Sequence, residues 1–332
     1  MPPYTKGNRL YKNKLRYSIL PINKNIISNH INSATASRLL NKNASTDRLV
    51  YSSQNPYGGV GDAGIWVRNP SCWINGVNNI SCFSPAQRSG ANWFQRGGTL
   101  ITRKHVLFAK HFKTSILPNG GTPLIFVDEN NNAIRRNIIQ YGDDISGSDI
   151  SIALLDSEVP SNIKIAKVLP PNFTDYINCT ISTITTPLTE QGDINLDPLL
   201  YAVALDQQEK AVFKICYSFA KKFSTGFVSS TSIMALANLF DSNQIASYGS
   251  TTPDPNQFAS FCEAVVVGDS GNPMFLIIDN ELIVLSAWFT PHSGTFITNR
   301  YNEVNSLIET LSPGEEYSLT PIDLELVYHK YS

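Results

Sequence analysis

From Gly97 onward, short apolar or alternating runs are cut every eight to fifteen residues by Gly, Pro, Asn or Asp. Runs that short cannot form long helices, and their spacing is that of strands and turns, so this stretch can close a core only by pairing strands. The runs are Thr99–Thr102, Val106–Ala109, Pro123–Val127, Ile150–Leu155, Leu200–Leu205, Val212–Tyr217, Ala264–Val267, Met274–Ile278 and Leu282–Trp288. Asp279-Asn280, between two of them, predicts a tight hairpin turn, and Asp128–Asn132 a second turn. Near its end the chain changes period. Val304, Leu307, Ile308 and Leu311 recur at helical spacing and predict one apolar helix face, stopped by Ser312-Pro313-Gly314. The fold class is therefore all-β with a C-terminal α-helix.

With 332 residues, 42% hydrophobic and 16% charged, the chain can bury the core of one large domain or two small ones. It holds no run of 18 apolar residues, so no membrane span is expected. The first thirty residues lack the charged, apolar, small-residue order of a secretory signal. Secretion by another route, a trimmed leader and a non-secreted protein all fit, and the compartment stays open, extracellular and virion-associated included.

The net charge of −1 conceals an asymmetry, because residues 1–50 carry nine Lys or Arg against the single acid Asp47. That segment is at +8, which leaves −9 for the remainder. Rich also in Asn and Ser, residues 1–60 read as a basic arm, extended or loosely docked. The arm is either solvated, a docking tail for an acidic partner or an assembly, or a removable segment. It lacks the interleaved aromatic and basic pattern of nucleic-acid modules, so nucleic acid is not an expected partner. Residues 313–332 form a tail with no functional assignment.

Gly268-Asp269-Ser270-Gly271-Asn272-Pro273 lies between the apolar runs Ala264–Val267 and Met274–Ile278. A serine flanked by glycines between two buried strands is held with its hydroxyl clear of bulky neighbours, as a nucleophile requires. Ser270 needs a base and a group to orient that base. In G-G-T-L-I-T-R-K-H-V-L-F-A-K-H-F, Gly97–Phe112, His111 ends an apolar strand, and in S-D-I-S-I-A-L-L-D, Ser148–Asp156, Asp149 begins another. Imidazole titrates near neutrality and so can both accept and return a proton. Asp143 and Asp144 are competing acids in the preceding loop. His105, set before its strand, reads as a surface residue, and His30 and His292 have no matching context.

These three segments, in the order His, Asp, Ser, resemble the chymotrypsin/trypsin-like serine peptidases over roughly residues 66–311. The order differs from that of α/β-hydrolases and subtilisins. The resemblance implies two six-stranded antiparallel β-barrels within residues 61–312, one over about 66–175 and one over about 195–300, closed by a helix at about 301–311. It implies a catalytic triad of His111, Asp149 and Ser270, an oxyanion hole from the backbone N–H groups of Gly268 and Ser270, and no metal or organic cofactor. It places a specificity pocket at Ala264, Phe289 and Gly294, uncharged at its floor, narrowed by Phe289 and open beside Gly294. Such a pocket is expected to take small or medium apolar side chains, with His292 able to favour an acidic one.

Several positions depart from the family pattern. Lys110 stands where alanine is usual, the run after Asp149 is longer, and Phe112 and Val266 replace bridged cysteines. Five cysteines leave at least one thiol unpaired, with Cys72–Cys82 either a local disulfide or free buried thiols. No I-V-G-G-like start precedes His111, so Asp269 is expected to pair with an internal Arg, Lys or backbone group in place of a newly cut N-terminus. The resulting expectation is a serine endopeptidase acting on polypeptides through an acyl-enzyme. The competing reading is a peptidase-shaped structural or binding module of a larger assembly, such as a virus particle, with little or no activity.

Overall fold

The structure is a computed structural model that describes residues 21–56, 63–89, 92–94, 97–118, 120–143, 145, 148–179, 181–184, 200–223, 234–238, 258, 260–263, 268–290 and 293–332. A helix, α1 (Asn25–Leu39), leads into a two-stranded antiparallel pair, β1 (Tyr51–Asn55) and β2 (Ile65–Arg68). An antiparallel sheet follows, made of β3 (Ala86–Ser89), β4 (Asn92–Phe94), β5 (Thr99–Leu100), β6 (His105–Ala109), β7 (Thr122–Val127), β8 (Ala133–Gly142) and β9 (Ile150–Leu155). Its order is β4-β3-β7-β8-β9-β6-β5.

The second sheet contains β10 (Lys167–Val168), β11 (Ile181–Ile184), β12 (Leu200–Leu205), β13 (Ala211–Phe223), β14 (Met234–Asn238), β15 (Pro273–Ile278), β16 (Glu281–Thr290) and β17 (Ser293–Thr295). Six of these strands run antiparallel in the order β16-β15-β12-β13-β14-β17. Because β16 pairs with β15 and also with β17, this sheet curls into a half-barrel. Asp279 and Asn280 both have positive φ, 50° and 63°, the geometry that lets a two-residue hairpin follow the strand twist. The Asp128–Asn132 turn is closed by the Asp128 N–H to Asn132 O bond at 3.1 Å. The predicted run Ala264–Val267 lies outside the described residues.

Alternate residues of the first sheet serve two cores. Leu100, Val106, Phe108, Leu124, Phe126, Ala153 and Leu155 pack together on one face. Leu107, Ile125, Ile152 and Leu154 turn the other way and join Tyr201, Val203, Phe213, Phe275 and Val284 of the second sheet. Strands buried on both faces must be apolar throughout, which explains the continuous runs in the sequence. The shared cluster is the seam on which the two sheets meet.

Three expectations are corrected. The basic arm is not loosely docked over residues 25–55, since Ile27, Ser28, Ile31, Thr35 and Leu39 of α1 are buried. Its polar residues reach the second sheet: Asn32 Oδ1 accepts the Tyr201 N–H at 2.7 Å, and His30 Nε2 accepts the Asp279 N–H at 3.1 Å. The physical reason is a helix whose apolar stripe is thin and whose amide side chains bond to backbone that would otherwise be orphaned.

The tail is likewise part of the fold. After α2 (Tyr301–Leu311), with Val304, Leu307, Ile308 and Leu311 buried, the chain forms α3 (Leu324–Tyr331). Asp323 caps α3 by accepting the Leu326 N–H at 2.9 Å. Ile322, Leu324 and Val327 enter the core beneath the second sheet together with Ile27 and Ile31. Tyr331 stacks on His30 with ring centroids 3.8 Å apart, and its hydroxyl donates to Asp279 Oδ1 at 2.9 Å.

The third correction concerns His105, which is fully buried rather than at the surface. Its Nδ1 lies 2.8 Å from Thr102 Oγ1 and its Nε2 3.2 Å from Ser312 Oγ, so hydroxyls satisfy both ring nitrogens. Cys72 and Cys82 are separate buried thiols and form no disulfide. Among the described residues no helix is long and apolar enough to cross a membrane.

Candidate active site

Strand register brings His111 and Asp149 together. β6 and β9 are antiparallel with Ala109 opposite Ile150, so the residues just past Ala109 face those just before Ile150. His111 lies in the 3-10 turn Lys110–Phe112 that ends β6. Three bonds fix it to the acid: Lys110 N–H donates to Asp149 O at 2.8 Å, His111 N–H donates to Asp149 Oδ1 at 3.0 Å, and His111 Nδ1 hydrogen-bonds Asp149 Oδ2. One carboxylate thus sets both the main chain and the ring of the histidine. Asp149 is anchored from the second sheet as well, through its N–H to Thr295 Oγ1 at 3.4 Å.

Of the competing acids, Asp143 is committed elsewhere, pairing with Lys113 and accepting from Ser151 Oγ at 2.7 Å. Asp144 lies outside the described residues.

Ser270 sits in the turn that enters β15. Asn272 N–H donates to Asp269 O at 3.1 Å, closing four residues in which Ser270 is second and Gly271, with φ +89°, is third. A type II turn requires positive φ at that third place, which glycine supplies without strain. The turn is sewn to β16 by Gly271 N–H to Trp288 O at 2.8 Å and Trp288 N–H to Asn272 O at 3.0 Å. It also abuts the histidine turn: a methyl group built on Gly271 would stand 3.5 Å from the Phe112 ring and 3.7 Å from the Ala109 nitrogen. Ser270 is half-buried and His111 exposed, so the junction opens to solvent. Among the described residues Ser270 makes no hydrogen bond to His111.

Gly268 has φ +114°, and a Cβ there would fall 2.3 Å from Gln207 Oε1, so glycine is required both by conformation and by space. Neither the Gly268 N–H nor the Ser270 N–H donates a hydrogen bond among the described residues. Asp269 between them is buried, and its Oδ1 accepts the Gln207 N–H at 2.9 Å. A backbone group is thus one partner of Asp269, as one of the three expected alternatives had it. Sequence reasoning did not find Gln207, because nothing local to residues 206–209 shows what they touch.

The pocket residues fare differently. Ala264 and His292 lie outside the described residues, and of Phe289 only the backbone in β16 is described. Gly294 does not leave a side open. A Cβ there would meet Ala287 O at 2.4 Å and Ser286 Oγ at 2.5 Å, so this glycine permits close approach of β17 to β16. Among the described residues no group of three or more His, Cys, Asp or Glu could hold a metal ion. Comparison with protein-family models and with curated proteins returned no match.

Proposed function

We propose that this chain is a serine endopeptidase of the chymotrypsin-like type, its two sheets corresponding to the two barrels of that architecture. The observation that carries the reading is the grip of Asp149 on His111, with one oxygen on the backbone N–H and the other on the ring, beside a strand-entry turn presenting a serine. A carboxylate on Nδ1 holds the imidazole in the tautomer whose Nε2 is free to accept a proton and stabilises the cation that then forms.

In the proposed reaction Ser270 Oγ attacks a peptide carbonyl as its proton passes to His111 Nε2. The carbonyl π pair moves onto oxygen, and the N–H groups of Gly268 and Ser270 receive that oxyanion. Collapse breaks the C–N bond, His111 gives its proton to the departing amine, and an acyl-Ser270 ester remains. Water, deprotonated by the same imidazole, releases the acid and restores the serine. Among the described residues the N–H groups on both sides of Asp269 meet no acceptor, which supports the oxyanion role.

The competing reading, a binding or structural module with an idle triad, is favoured by the absent Ser270–His111 bond. Catalytic hydrogen bonds often tighten only with substrate bound, so that observation does not outweigh the histidine–aspartate geometry. A serine-directed phosphonate decides between them. The enzyme is expected to be labelled, Ser270→Ala to abolish labelling, and His111→Ala to slow it by about a thousandfold or more. Labelling of either variant at a tenth of the wild-type rate would refute the triad.

A further inference from the structure

The hairpin joining β12 to β13 carries a turn aimed at the serine loop. Glu209 N–H donates to Asp206 O at 3.1 Å, and Asp206 Oδ1 accepts the Gln208 N–H at 2.8 Å, which makes Asp206–Glu209 a β-turn with aspartate at its favoured first place. Glu209, buried with φ +58°, forms the left-handed step by which such a turn rejoins its strand. Gln207 is the second residue of the turn. Its backbone N–H points out of the hairpin to the buried carboxylate of Asp269 at 2.9 Å, while its side-chain amide lies over Gly268.

The hairpin is braced on its far side. Glu263 accepts Arg48 at 2.9 Å and Lys210 at 2.9 Å, and its carbonyl accepts the buried Lys214 ammonium. Val50 N–H donates to Glu209 O at 2.9 Å and Ala211 N–H to Arg48 O at 2.8 Å. Residues 44–50, the hairpin and the segment leading to the serine loop therefore form one connected unit.

We infer that Gln207 is a positioning residue for the oxyanion loop, its backbone N–H holding Asp269 so that the peptide N–H groups on either side of that carboxylate stay turned toward the substrate. The chain would then carry its loop-ordering contact internally from the moment it folds. The consequence for rate rests on the peptidase reading; the ordering of the loop does not.

Gln207→Pro tests this directly, because proline is favoured at the second place of such a turn and removes the N–H along with the side chain. Gln207→Ala keeps the N–H and is the control. Phosphonate labelling of Gln207→Pro is expected to slow by about 10–100-fold, the worth of a hydrogen bond to a buried charge, with the effect in kcat rather than KM for a small ester. Exchange of the Asn272 amide is expected to accelerate at least about tenfold. Gln207→Ala, which loses only the side chain over Gly268, should accelerate that exchange clearly less than Gln207→Pro does; equal acceleration would assign the effect to the side chain and overturn the proposal. Equal behaviour of Gln207→Pro and wild type in exchange overturns the proposal. If wild-type protein is not labelled at all, the peptidase reading fails and exchange alone decides the role of Gln207. Should the proline variant not fold, Asp269→Asn, which offers the Gln207 N–H a neutral acceptor, replaces it under the same two outcomes.

Discussion

His105 and His111 flank one strand and meet opposite surroundings. His111 emerges at the strand's end onto an exposed turn, whereas His105 is sealed between Thr102, Ser312 and the edge of Tyr317. Burial first and Lys104 second, against the opposing pull of Glu315, together hold the His105 imidazole down at about 4. The sign follows: between the ordinary histidine value and about 4 the unfolded chain binds a proton that the folded one refuses, so stability falls as pH drops through that window. The full span corresponds to about 3 kcal/mol. Wild-type protein is expected to lose more thermal stability between pH 6.5 and pH 4 than His105→Gln does, measured as the shift in unfolding midpoint; equal losses would refute the assignment. The sequence offered no warning of this burial. Ser312 and Tyr317 arrive from beyond α2, and a histidine before a strand carries no local mark of what will cover it.

At the scale of elements, α1 shows how composition misleads. Its Asn, Ser and basic residues suggested a solvated arm, yet Ile27 and Ile31 lie one turn apart and are fully buried against the second sheet. Ile31→Ala is expected to cost about 2–5 kcal/mol, read from denaturant unfolding, and removal of residues 1–50 should lower the thermal midpoint sharply. Unchanged stability in both would mean that α1 does not dock in solution. Some strands of the two sheets, by contrast, were legible residue by residue, whereas the more polar Ala133–Gly142 was not. Ile150–Leu155 and Leu200–Leu205 match the apolar runs because both are buried along their whole length. His111 and Asp149 were legible for a related reason. Each sits at the end of such a run, so locating the strands located them, whereas Gln207 belongs to a turn whose partner lies far along the chain.

Across the whole molecule, the seam cluster is shared by residues of both sheets, β2 and α2, so opening either sheet exposes apolar surface of the other. Unfolding is expected as one cooperative calorimetric transition with equal van't Hoff and calorimetric enthalpies; two resolved transitions would show independent halves. The candidate triad straddles that seam, with His111 and Asp149 on the first sheet and Ser270 entering the second. The His30–Tyr331 stack adds a constraint of timing. α1 is the first described element to leave the ribosome and α3 the last, yet they cover the same face of the second sheet. A nascent chain that has already made His111, Asp149 and Ser270 still leaves Ile27 and Ile31 uncovered by α3, so this face of the second sheet closes only once α3 has been made.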